Sequence, residues 1–227
     1  MRISWRTEWP FWLLLACMFA LAAAIWGAAP DRIPVHWGFG GHADRWGGKF
    51  EGLLLLPIVG LGLYVLLLLI PRIDPGRANY ESFASAYLTL RLLVLIVTAA
   101  FQVITVLAAL GRHVDMAAAV PLVVGGLLVV IGNLLGKVRP NWFVGIRTPW
   151  TLSSKESWAR THHAGGWLFI VFGLLLMAFA LIRSAWFLAV VGAVIAGGLL
   201  GLVAYSYVVW KNDPDKVPPA GTTPANS

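Results

Sequence analysis

Apolar residues fall along this chain in long runs, and short polar stretches separate one run from the next. Six runs, near residues 9–29, 53–70, 88–110, 117–136, 167–184 and 185–208, are long enough to cross a membrane, since a hydrocarbon core of about 30 Å needs roughly 20 helical residues. None of them alternates apolar with polar as a barrel strand does. Backbone groups in lipid must also bond within their own segment, so the runs are expected to be helices. The pattern predicts an all-α integral membrane protein built as a bundle of about six transmembrane helices. Composition agrees: 59% of the 227 residues are hydrophobic and 12% charged, against roughly one quarter charged in soluble domains.

The placement of basic residues adds an orientation. Of the 17 Lys and Arg, twelve fall in the N-terminal segment (Arg2, Arg6), the second loop with Arg91 counted at its edge, the fourth loop and the tail, and five in the first, third and fifth loops. The positive-inside rule then puts both termini in the cytoplasm. A formal charge of +7 points to anionic lipid headgroups rather than to nucleic acid. Arg2 and Arg6 ahead of a run ending in Ala28-Ala29 also fit a secretory signal peptide, but the length of the run and Pro30 directly after it favour a retained span. Cys17 is the single cysteine, so it reads as a packing residue, with no intrachain disulfide or thiolate cage available.

Three regions are expected: 1–110, a membrane region with an extracytoplasmic Pro/His/Gly loop; 111–210, a membrane region carrying a cytoplasmic loop at 137–166; and 211–227, a proline-rich polar tail expected to be disordered. Gly132 with Gly136, and Gly197 with Gly201, have the helical spacing that lets helices approach closely. Thr98, Gln102, Thr105 and Asn133 are neutral and can bond across helices. No carboxylate or histidine is expected well inside a span, where a proton or ion path would need one.

The outer loop, residues 30–52, reads as a folded cap. Pro30 and Pro34 fix the backbone and the glycines permit tight turns. His36, His42 and Asp44 are groups that a divalent metal takes, but their spacing matches no dedicated zinc pattern. A hydrogen bond between His36 and Asp44, with Trp37 and Trp46 at the interface, is the favoured reading.

The cytoplasmic loop carries denser chemistry. Asn141 and Trp142 leave the fourth span, Gly145 permits a turn, and Arg147, Thr148, Pro149, Trp150 and Thr151 lead to Ser153, which has capping-box spacing with Glu156. On the helix expected there, Trp158, Thr161, His162 and Gly165 share one face. Three readings stand open. Trp142, Phe143, Ile146, Trp150 and Leu152 can lie at the headgroup level beside basic residues that attract anionic lipid. Arg147 can fork onto a carboxylate or onto loop carbonyls and shape a docking site. His162 or His163 with Glu156 can transfer protons, although no nucleophile elbow, HExxH helix or phosphate loop accompanies them.

Three separated motifs carry a resemblance. They are residues 30–37 (PDRIPVHW) with Gly41 and Asp44; residues 71–75 (PRIDP) with Asn79, Tyr80 and Phe83; and Gly132-Asn133, residues 137–141 (KVRPN) and 145–152 (GIRTPWTL) with Trp158, Thr161 and His162. In order and spacing the chain resembles the immunity-protein family of the bacterial sporulation-delaying killing-peptide system. The first block resembles that family's amino-terminal domain of unknown function, and the last its signature loop. The resemblance implies a multi-pass protein of the bacterial plasma membrane that binds or neutralises a secreted membrane-active peptide toxin, without a cofactor and without catalysis. In the best-known members the same protein is a receptor that, with toxin bound, sequesters a small winged-helix repressor. The candidate binding residues are then Pro34, His36 and Asp44 outside, and Asn133, Asn141, Gly145, Arg147, Thr148, Pro149, Trp150, Thr151, Trp158 and His162 inside. The alternative, a membrane-embedded enzyme or small-solute transporter, requires a polar cavity linking His36, Arg91 or His162.

Overall fold

A computed structural model describes residues 4–38 and 40–217. Helix α1 (Trp5–Ile25) leads to a β-hairpin of β1 (Ile33–Trp37) and β2 (Ala43–Gly47), and a π-helical turn (Phe50–Leu54) runs into α2 (Leu55–Ile73). A 3-10 helix (Arg77–Phe83) opens α3 (Ala84–Ala109), followed by α4 (Met116–Leu135), a single turn α5 (Pro149–Leu152), α6 (Lys155–Ile182) and α7 (Ala185–Asn212). Six of these helices are long and apolar enough to cross a membrane, so the all-α membrane architecture stands.

The expected loop helix and the fifth span are one helix, α6. Its cap is Ser154 rather than Ser153, because the Ser153 hydroxyl is turned back onto the Pro149 carbonyl at the end of α5. Ser154 Oγ accepts the Ser157 amide at 2.8 Å. That shift of one residue removes the capping box, and Glu156 pairs with Arg160 instead.

Helices α1, α2 and α3 pack through Phe11, Leu15, Met18, Tyr64 and Leu95 around a charge pair the hydropathy pattern did not reveal. Arg91 stands two turns inside α3, not at a loop edge, and donates to both carboxylate oxygens of Glu8 on α1, at 3.1 and 2.7 Å. Tyr64 of α2 donates to the same carboxylate at 3.0 Å, and the guanidinium carbon lies 4.6 Å from the centre of the Phe11 ring. Glu8, in the first turn of α1, and Arg91 are both buried. A bidentate pair is the geometry that repays desolvation best. Removing one partner strands the other charge, at a cost of about 3–5 kcal/mol.

Helices α4 and α6 approach backbone to backbone. A Cβ on Gly125 would stand 2.6 Å from the Gly173 carbonyl oxygen, and one on Gly173 would stand 2.4 Å from that of Gly125; Gly132 and Gly166 repeat the arrangement at 2.5 and 2.8 Å. Of the glycine pairs marked by spacing in the sequence, Gly132 alone serves this contact. Gly136, Gly197 and Gly201 have nothing within 4 Å of a Cβ position. On α7 it is Gly198 that admits the Phe172 ring of α6.

The hairpin bridges the two helix groups. Ile33 is fully buried among Ala22, Ala29, Leu53, Val106 and Ala109, while Gly41, at φ +76°, lies so close to Ala117 of α4 that a Cβ would be 3.1 Å from its amide nitrogen. At the opposite end the expected disordered tail begins too early. Lys211 and Asn212 complete α7, and Asp213 is buried and accepts the Ser154 hydroxyl. That hydroxyl and the Asp215 amide hold the Asp213 carboxyl below its usual range. The Val217 amide bonds the Ser153 carbonyl at 2.9 Å. The remainder of the tail, 218–227, and Arg2 lie outside the described residues.

Two outcomes follow from this arrangement. Glu8→Leu or Arg91→Leu alone should lower the melting temperature in detergent more than the double replacement, since only the singles leave a bare charge; equal or additive losses would mean the pair is solvated. Gly48 is exposed with open space at its Cβ, and Ala159 is exposed on the first turns of α6. In a Cys17→Ala background, a membrane-impermeant maleimide applied to intact cells should label the Gly48→Cys protein and not the Ala159→Cys protein. The reverse result would invert the orientation drawn from the basic residues.

Candidate functional site

The segment between α4 and α6 has little regular structure, so its shape rests on side chains that bond its backbone. Asn141, which is 2% exposed, uses its whole hydrogen-bonding capacity. Its Oδ1 accepts the Phe143 and Val144 amides at 2.9 and 2.6 Å, and its Nδ2 donates to the Arg139 and Val144 carbonyls, both at 2.9 Å. Asp74, beyond the end of α2, accepts the Gly76 amide at 2.6 Å, the Tyr80 hydroxyl at 2.8 Å and the Trp142 amide at 3.1 Å. Asn79 adds a bond to the Pro140 carbonyl. The loop after α2 and the loop after α4 are thus one polar unit.

Helix α6 supplies the floor. Trp158, Thr161, His162 and Gly165, placed on one face by their spacing, are all buried there. Trp158 donates from Nε1 to the Val138 carbonyl at 2.9 Å and stacks on the His162 ring, with centroids 4.0 Å apart. The Ile146 amide lies 3.0 Å from His162 Nε2. An amide can only donate, so Nε2 carries the lone pair, and Nδ1 donates to the Trp158 carbonyl at 2.8 Å. The ring is a neutral strut with both nitrogens occupied. Gly145, at φ +113°, makes room for it, since a Cβ there would be 2.3 Å from Nε2.

Thr148 and Thr151 close the loop as a reciprocal cap on α5, with Pro149 at its first position. Thr151 also donates to the Ile146 carbonyl at 2.9 Å, the Thr148 hydroxyl lies 3.1 Å from that of Ser206 on α7, and Trp150 meets Tyr207 edge to face.

Of the partners open to Arg147, a carboxylate or loop carbonyls, it takes a loop carbonyl: it is exposed and donates to the Trp142 carbonyl. One expectation for this side is corrected. Asn133 is exposed and bonds the Val129 carbonyl of its own helix, because α4 turns Gly132, not Asn133, toward α6. On the hairpin, Pro34 is buried in β1 opposite Trp46, and His36 Nδ1 lies 2.6 Å from Asp44 Oδ1. Among the described residues no three His, Cys, Asp or Glu side chains converge on a common point.

The comparisons bear on this same loop. Residues 137–208, from the loop through α7, match the model of the SdpI/YfhL protein family. Over that segment the chain is similar to this family. Residues 13–61 match a domain of unknown function (DUF1648), which covers most of α1, the hairpin and the start of α2. The chain is 22% identical over 200 residues to the "Immunity protein SdpI" of Bacillus subtilis (strain 168), covering 88% of this chain and 94% of that one. No solved structure matches. Together with six spanning helices, this similarity makes the chain a multi-pass plasma-membrane protein.

Asp74, Asn79 and Tyr80 were part of the resemblance but not of the candidate site, and they hold half of it. The signal was an Asp ahead of Pro75-Gly76, a pattern in which the carboxylate turns back on nearby amides. Gly145→Ala, which forces a side chain into His162, and Asn141→Ala, which strands two part-buried amides at about 1–3 kcal/mol each, should both open the loop to trypsin at Lys137 and Arg147. Arg147→Lys should leave the digestion of folded protein unchanged. Resistance of the Gly145→Ala protein would show that the loop does not depend on the imidazole.

Proposed function

We propose that this chain is a membrane immunity protein that binds or neutralises a secreted membrane-active killing peptide, with the hairpin outside and the signature loop in the cytoplasm. The observation that carries the reading is the placement of two folded polar structures at opposite ends of one helix pair. The hairpin rests on the first residues of α4 through Gly41 and Ala117, and the signature loop closes between the far end of α4 and the start of α6. Structures of this kind present surfaces to partners. Of the groups that proton chemistry would call on, His162 and Glu156 are committed to the loop backbone and to Arg160. The name of the Bacillus relative supports the same reading.

The signature loop in turn serves as a docking surface for a cytoplasmic partner, of which a winged-helix repressor is the kind the resemblance implies. Arg147 keeps most of its guanidinium free for a partner's carboxylate, and Trp142 and Phe143 are exposed beside it. Next to them a cleft of about 1250 Å³ lies between α5, the start of α6 and the end of α7, lined by Pro149, Leu152, Lys155, Arg160 and Asp215. Anionic headgroups meet the remaining basic residues of this face.

Expression in a sensitive bacterium should protect it against a toxic peptide encoded beside this gene. Arg147→Ala should reduce recruitment of a repressor to the membrane roughly tenfold, the worth of one charge-assisted contact, and protection much less. Absence of protection, together with substrate turnover or solute uptake by the purified protein in liposomes, would replace this reading with an enzyme or a transporter.

A further inference from the structure

Below the hairpin lies a second cavity, of about 550 Å³, whose lining changes character with depth. At the hairpin it is bounded by His36, Trp37 and Asp44, and below them by aliphatic and aromatic side chains, among them Val120 and Val124 of α4 and Phe179 of α6. From Met116 to Val124 the α4 wall descends about 12 Å at 1.5 Å per residue. That is most of one leaflet of a hydrocarbon core about 30 Å thick. The cavity therefore has a polar mouth at headgroup height and an apolar channel one acyl chain deep.

Size and charge select the occupant. A peptide helix about 10 Å across takes up roughly 850 Å³ in only two turns, more than the whole cavity, whereas a single hydrocarbon chain is slender enough. At the mouth, the Asp115 carboxylate pairs with Arg183 and Arg45 pairs with Glu51, which cancels those charges. Asp44 has only the imidazole of His36, on Oδ1, and among the described residues its Oδ2 accepts no hydrogen bond. An exposed carboxylate with a free oxygen repels a phosphate and attracts an ammonium that can donate. We propose that this groove binds one aminophospholipid of phosphatidylethanolamine type, with its ammonium on Asp44 and an acyl chain between α4, α6 and α7.

Native mass spectrometry and tryptophan quenching test this together. Protein reconstituted from equimolar phosphatidylethanolamine, phosphatidylcholine and phosphatidylglycerol and released from mild detergent should retain one phosphatidylethanolamine. Asp44→Asn should lower that preference roughly tenfold, as expected for losing one charge-assisted hydrogen bond. Val120→Trp, which fills the channel from a position already 37% exposed, should abolish retention while the melting temperature holds. In vesicles, acyl-brominated phosphatidylethanolamine should quench the Trp37 signal, isolated as the difference from Trp37→Phe, more than the brominated choline lipid does. Equal quenching by all headgroups, a preference for phosphatidylglycerol, an unchanged preference in Asp44→Asn, or a second chain or a peptide retained in place of lipid would each overturn the assignment.

Discussion

The contact on which the rest of this structure depends is the approach of α4 to α6 at Gly125–Gly173 and Gly132–Gly166. Lipid tails are as apolar as leucine, so burial of apolar surface does not press helices together in a membrane, and their association rests on close van der Waals packing. Here each glycine lies against the carbonyl of its opposite number, nearer than any Cβ would allow. The seam extends to Gly166, one turn from His162, and so the end of α4 leaves beside the imidazole that holds Ile146. The first turn of α4 receives the hairpin tip, and its first three turns form one wall of the groove beneath it.

Polar groups buried at the margins of the bundle finish what packing begins. A half-satisfied buried network costs more than an apolar one, and the three networks here are close to complete. Glu8 is met by Arg91 and Tyr64, Asp74 by two amides and a hydroxyl, and Asn141 by four backbone groups. These side chains are spent on fixing shape. Exposed at the surface are Arg147 and its aromatic neighbours on one side, and Asp44 on the other.

Much of this was legible in the sequence, for reasons that also explain what was not. Run length alone identifies six spans, because only a helix satisfies its backbone in lipid, and the shared face of Trp158, Thr161, His162 and Gly165 follows from helical spacing. The folded cap was foreseen from Pro34, His36 and Asp44, although not as two strands. The buried pair escaped notice because Arg91 and Glu8 lie near the ends of their apolar runs, where a charge is read as belonging to a loop, and because their 83-residue separation leaves no local pattern. Glycine spacing misled for a different reason: four residues apart is one way to line a helix face, and the seam uses seven. Arg147 drew notice in the sequence because its side chain has the most donors; it bonds one loop carbonyl, whereas buried Asn141 must bond the backbone around it.

The central claim is that the signature loop is folded in advance by buried side chains rather than shaped by a partner. Hydrogen exchange measured on the full chain in lipid nanodiscs, without ligand, tests it most directly at the Phe143, Val144, Ile146 and Thr151 amides, which bond Asn141, His162 and Thr148. These amides should exchange orders of magnitude more slowly than an unstructured segment, and Asn141→Ala should release Phe143 and Val144. Exchange of all four at the unprotected rate in the wild-type chain would contradict it.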